Sequence, residues 1–135
     1  MIDALERDER EIRGILARLA HTADAGDLEE YVSLFAEEAV WSGDGAPMRS
    51  GRDEILEGAL ERRAAGTTGP GSHTSHVVST IDVRLEGERA TARSVFQFYV
   101  DTHESPRLAI IGHYFDEFRR EGSEWKLAVR RIVSG

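Results

Sequence analysis

Histidines stand at positions 21, 73, 76, 103 and 113 of a chain that has no cysteine. Proton transfer therefore falls to imidazoles, carboxylates and hydroxyls, while disulfides, thiolate metal sites and a cysteine nucleophile are excluded. No HxH, HxxxH or HExxH spacing occurs, and His73-x-x-His76 runs from a glycine-rich stretch into an apolar one, where two rings need not converge. The expectation is a site without metal. The simplest remaining device is a carboxylate facing an imidazole. By accepting from one ring nitrogen it fixes the tautomer and leaves the other free to take a proton. Removing an acidic C–H proton inside an apolar cavity needs no more than that, and no cofactor. Asp24 closes an apolar helical pattern just before Ala25-Gly26, and His76 opens an apolar run. Spacing alone leaves two readings: a facing pair, or an Asp24 that caps the turn ADAGD with His76 as a polar strand-end residue.

Other candidates are ranked around these two. His21 lies three residues before Asp24 and can share its side of a helix, so it is a candidate for the pocket wall. His73 reads as a solvated loop residue, and His103 falls near a turn. His113 sits beside Gly112 in a strand, facing either a cavity or a partner subunit; alternation groups it with Ile111 and Phe115, against Ile110 and Tyr114. Tyr31, Trp41, Phe96, Phe98 and Tyr114 are core residues by default and candidates to line a pocket. Arg130 and Arg131 must point to opposite faces of a strand. Arg131, which shares its face with Leu127 and Val129, is expected to be the inward one, able to meet a carboxylate or enolate oxygen of a ligand.

These residues need elements to position them. Leu5, Ile12, Ile15, Leu16 and Leu19 recur at helical spacing over residues 3 to 23. Asp27 is the expected N-cap of a second helix, LEEYVSLFAEE, followed by a short strand at 39–41. SGDGAPMRSG is turn chemistry, and RDEILEGALERRAA predicts a third helix with Ile55, Leu56 and Leu60 toward the core. TTGPGS reads as the most flexible loop of the chain. Beyond it the period changes to that of strands, over 75–87, 88–101, 107–121 and 123–133, with hairpin turns at Glu86-Gly87-Glu88 and Glu121-Gly122-Ser123. Three helices followed by an antiparallel meander predict an α+β domain over residues 1–135.

Composition narrows the partners. A net charge of −8 argues against nucleic acid, because neutralising phosphates needs a basic surface. No apolar run approaches the roughly 20 residues that span a bilayer, so no membrane partner is expected. The first residues, MIDALERDEREIRG, lack the apolar stretch of a signal peptide, and a cytoplasmic location is expected.

Four stretches in series, ADAGDLEEYVSLFAEEAVW, GRDEI, SHVVST and GHYFDEFRREGSEWKLAVRRIV, resemble the SnoaL-like family of the nuclear transport factor 2-like superfamily. The resemblance covers nearly the whole chain. It implies a cone-shaped fold, three N-terminal helices on a strongly bent antiparallel or mixed sheet, enclosing a largely apolar cavity. It also implies a homodimer formed through the outer sheet face. Scytalone dehydratases and hexachlorocyclohexane dehydrochlorinases, two groups within it, carry an aspartate at the end of the first helix and a histidine at the start of the first long strand. By resemblance Asp24 and His76 match those positions, with the histidine as base and the aspartate orienting it. The implied activity is a cofactor-independent lyase or isomerase, dehydratase-like, acting on a small cyclic or polyketide-like molecule of apolar or aromatic character. The same fold also implies alternatives: a non-catalytic binding or accessory dimeric domain, a polyketide cyclase, or an epoxide hydrolase with an inward Asp-Arg-Asp arrangement.

Overall fold

Asp3 accepts from the Glu6 backbone N–H at 2.8 Å and starts helix α1 (Ala4–Asp24), satisfying one of the orphan donors of a first turn. The computed structural model describes residues 3–135. α1 buries Ile12, Ile15, Leu16 and Leu19; Leu5 has the same spacing but remains exposed. Asp27 caps α2 (Leu28–Ser33) through the Glu29 N–H, as expected from sequence.

α2 is shorter than its pattern suggests. The segment FAEE belongs to strand β1 (Phe35–Gly43), not to the helix. Tertiary pairing outweighs helical propensity here. Phe35 pairs with Leu127, the Leu127 N–H donates to the Leu34 carbonyl at 3.0 Å, and the Phe35 carbonyl accepts from Arg52 Nη2 at 2.6 Å. A register shift between Phe35 and Val40 lets Phe35, Ala36 and Ala39 all turn inward.

After β1 come β2 (Arg49–Ser50), α3 (Arg52–Ala64), β3 (Ser75–Glu86), β4 (Arg89–Val100), β5 (Arg107–Glu121) and β6 (Glu124–Ser134). β2 lies within the stretch read as turn. In α3 the buried residues are Ile55, Gly58 and Ala59, whereas Leu60 faces outward. The strands form one six-stranded sheet in the order β2-β1-β6-β5-β4-β3. β3 to β6 are an antiparallel meander, and β1 joins β6 in parallel. This is the expected α+β arrangement, helices on one face of a mixed sheet.

Cross-strand rows show how the inner face is graded. Ala90, Phe118 and Leu127 meet the α1 residues and fill one end. Ala92, Asp116 and Arg130 form the next row, then Ser94, Tyr114 and Ile132, then Val78, Phe96 and Gly112, and finally His76, Phe98 and Ile110. The packed core thus gives way, row by row, to an open end. Gly112 is where that end needs a glycine. A Cβ there would stand 2.5 Å from the Val133 carbonyl and 2.7 Å from Phe96 Cε1, so its absence lets the Phe96 ring lie across β5.

Candidate active site

The last turn of α1 and the first residues of β3 meet at one point. Asp24 Oδ1 lies 2.7 Å from His76 Nδ1, and Oδ2 accepts the His76 backbone N–H at 2.8 Å. The Ser75 hydroxyl adds a longer contact at 3.4 Å. A carboxylate that holds both the backbone and the ring of one residue fixes that ring in place. Because Asp24 can only accept when ionised, Nδ1 carries the hydrogen and Nε2 keeps its lone pair. Nε2 makes no hydrogen bond among the described residues. The ring packs 4.7 Å from Phe98 and 6.5 Å from Phe96.

One side chain of α3 governs this meeting. Arg63 Nη2 donates to the carbonyls of Thr22 at 2.9 Å, Ala23 at 3.3 Å and Gly26 at 2.8 Å, acceptors at the C-terminal end of α1 around Asp24. Its aliphatic stem fills the place of a Gly69 Cβ, which would stand 2.9 Å from Arg63 Cγ. The loop on the far side of that contact leads straight to His76. It is not the loose segment expected from TTGPGS. Ser72 Oγ donates to the Gly69 carbonyl at 2.6 Å, Thr74 Oγ1 donates to the Thr67 carbonyl at 2.9 Å, and Thr68 is buried.

His76 opens onto a cavity of about 220 Å³ with walls that include Leu16, Leu19, Trp41, Phe96, Phe98 and Ile132. Tyr31 and Tyr114 also line it. At its inner end Arg130 makes a bidentate pair with Asp116, Nε to Oδ1 and Nη2 to Oδ2, both at 2.9 Å. The guanidinium also lies 3.7 Å from the Tyr114 ring centre. Burial works against the Arg130 cation, yet Asp116 more than offsets it and the group is held well above its ordinary value. Burial pushes the Asp116 carboxyl up while Arg130 opposes it; two hydrogen bonds from a guanidinium that does not deprotonate keep the pair ionic. Burial also raises the Tyr114 phenol to about 12, so its hydroxyl remains a donor at neutral pH. That hydroxyl has no protein partner among the described residues.

Three sequence expectations need correction. Arg131 is exposed and stacks on Phe115 of the outer face, 4.3 Å from the ring centre; Arg130 is the inward arginine. The reason is a bulge: Leu127 pairs with Phe118 but Val129 pairs with Glu117, so Ala128 is an extra residue that inverts the alternation. His21 is exposed and absent from the cavity wall, because α1 turns it away from the side that carries Asp24 inward. His113 lies with Phe115 on the outer face, its ring 6.1 Å away, and does not reach the cavity. His73 and His103 stack on each other at 3.8 Å outside the cavity wall. Tyr31, Trp41, Phe96, Phe98 and Tyr114 do line it. Sequence reasoning missed Asp116. The signal was present, since a carboxylate alternating with Tyr114 and Phe118 on an apolar strand face demands a buried cation.

Among the described residues no group of three or more histidine, aspartate and glutamate side chains converges as metal ligands. Among the described residues no helix is long and apolar enough to cross a membrane.

An α+β sheet with helices on one face and a cavity at its open end defines the nuclear transport factor 2-like, or cystatin-like, class of fold. Within it, this chain belongs to the SnoaL-like domain family, whose profile matches residues 6–131. The structure is similar to a nuclear transport factor 2-like protein of Novosphingobium aromaticivorans, with a TM-score of 0.85 and 26% identity over 96% of this chain and 83% of that one. It is also similar to a provisionally assigned scytalone dehydratase of the same organism, with a TM-score of 0.75 and 23% identity over 95% and 84% of the two chains. A third similar structure is the β subunit of a provisionally assigned aromatic-ring-hydroxylating dioxygenase from that organism, with a TM-score of 0.75 and 16% identity over 98% and 92%. At those identities the likeness to the second and third is one of fold. No curated protein matches the chain.

Proposed function

We propose that this protein is a cofactor-independent lyase or isomerase, dehydratase-like, that removes a proton from an activated carbon of a small cyclic or polyketide-like molecule. One observation carries the reading: Asp24 grips both the backbone and the Nδ1 of His76, which leaves Nε2 as an oriented base at the wall of an apolar cavity. An Nε2 that takes the proton becomes an imidazolium beside the Asp24 carboxylate, which stabilises the charge as it forms. The electron pair left on carbon moves toward a carbonyl oxygen. Tyr114 as a neutral phenol, and Arg130 beside it, are the donors suited to that oxygen. Loss of water or return of the proton at another carbon completes the reaction. The likeness in fold to a provisionally assigned scytalone dehydratase is consistent with this chemistry.

The test is proton exchange. Small cyclic ketones and their aromatic analogues are incubated with the protein in D2O, and deuterium next to the carbonyl is followed by NMR. His76→Ala and Asp24→Asn should each slow exchange by about 10²- to 10⁴-fold, with unchanged circular dichroism. Equal rates in all three proteins would sink the dyad. The epoxide-hydrolase alternative is less well supported, because only one carboxylate, that of Asp116, meets Arg130 among the described residues.

We also infer a homodimer. Val77 and Ile111, 44% and 46% exposed, flank Gln97 in one row of the outer face, and His113 and Phe115 continue the surface. A second copy would cover these side chains.

A further inference from the structure

Charge accounting inside the cavity leaves one group over. Asp24 is engaged by His76, Asp116 by Arg130, and Asp44, at the cavity wall, accepts the Ser134 N–H at 2.7 Å. Arg62 also lines the cavity. Among the described residues no carboxylate oxygen lies within 4.0 Å of it. Its guanidinium is instead stacked over Trp41, with Cζ 5.1 Å from the ring centre, and reaches toward the Tyr31 phenol, a neutral group. Its neighbour Arg49 differs, being paired with Glu61 at 2.6 Å and Glu57 at 3.8 Å on the outer side of α3.

Gly58 leaves room for this placement. A Cβ at position 58 would stand 3.3 Å from Arg62 Nη1 and 3.2 Å from Arg49 Nε, so the glycine lets both guanidinium groups lie against α3. A half-buried cation without a counter-ion is costly in an apolar wall, and an aromatic face offsets only part of that. A planar oxyanion offsets more, since the fork of N–H donors matches a carboxylate. Arg130 can offer a ligand oxygen a hydrogen bond, but its charge is already balanced by Asp116, so it supplies no counter-charge for an anion.

We propose that the molecule bound in this cavity carries a carboxylate, and that Arg62 is the residue that takes it. The ring system of such a ligand lies along Trp41 and the aromatic side chains of β4, with its far side toward His76. Arg62 thereby selects acids over neutral compounds of the same shape. This deepens the proposed proton-abstraction reading by naming the substrate class of the same cavity.

The experiment compares a matched pair of probes, 2-naphthoate and its neutral isostere 2-naphthamide, by isothermal titration calorimetry on the wild-type protein, Arg62→Gln and His76→Ala. Wild type should bind the acid tenfold or more tighter than the amide, the size of effect that about 1.5 kcal/mol of charge-assisted hydrogen bonding gives. Arg62→Gln should erase the difference while amide affinity changes less than about twofold, and Arg62→Lys should restore part of the preference. His76→Ala should keep the preference, which separates this proposal from the dyad: exchange could fail with selection intact, or the reverse. Equal affinities in wild type, including no measurable binding of either probe, would overturn the proposal. A preference for the acid that survives in a folded Arg62→Gln would do the same.

Discussion

Asp116 and Arg130 are only 2% and 6% exposed, and a pair so placed is far more sensitive to losing one partner than to losing both. Asp116→Ala should destabilise the protein by about 3–5 kcal/mol by stranding a buried cation, whereas Asp116→Ala combined with Arg130→Met should recover most of that loss. Urea unfolding of the three proteins checks it, and a double variant no better than the single one would contradict this account. The pair also shows what residue-level reading can reach. An inward arginine is expected from the sequence and its carboxylate partner Asp116 is not, and the choice between Arg130 and Arg131 turned on Ala128, an apolar residue of no chemical interest. This bulge has no glycine to mark it in the sequence. The helix-end aspartate and the strand-start histidine were legible because their order along the chain matches a family pattern. Their contact at 2.7 Å belongs to tertiary structure alone.

At the scale of elements, α1 is held at both ends by groups from elsewhere. Near its start, Asp8 accepts from Trp125 Nε1 at 3.1 Å and lies 2.6 Å from Arg120. The hydrogen bond from Arg120, with help from Trp125, holds the Asp8 carboxyl below its ordinary value of 3.8. A carboxyl depressed in the folded state stabilises when ionised, so its contribution is present above 3.8 and fades as pH falls below it. The stability gap between wild type and Asp8→Asn, measured by urea unfolding across acid pH, should therefore close in that direction. At its other end, Arg63→Ala should cost about 1–3 kcal/mol. It should also speed hydrogen exchange in the amides after Leu19 and alter the His76 ring signals in NMR, because Asp24 and the loop to β3 both rest on that side chain. Gly112→Ala should destabilise by about 1–3 kcal/mol through overpacking against Phe96; a thermal midpoint equal to wild type would refute the close approach. Element types were legible from periodicity, while the end of α2 was not. FAEE satisfies a helix locally and becomes a strand only because β6 is present to pair with it.

For the whole molecule, the proposed homodimer places its interface on the sheet face opposite the cavity. Ile111→Glu should shift sedimentation from dimer to monomer and leave the secondary structure unchanged, since Ile111 already faces solvent within one chain. A monomeric wild type would remove the idea. What the amino-acid sequence determined by itself is the run of local preferences: the cap at Asp27, amphipathic helices, alternating strands and the turns between them, whose order specifies an α+β fold. Each follows from neighbours a few residues apart. The tertiary structure decided what depends on distant chain segments meeting. It converted FAEE to strand, inverted the parity of β6 at Ala128, pinned a glycine-rich loop through Arg63 and Gly69, and turned His21 and His113 away from the cavity. Asp24 and His76 were candidates on the chain; 52 residues apart, they became one unit only when the end of α1 and the start of β3 were packed together, and no local preference encodes that distance.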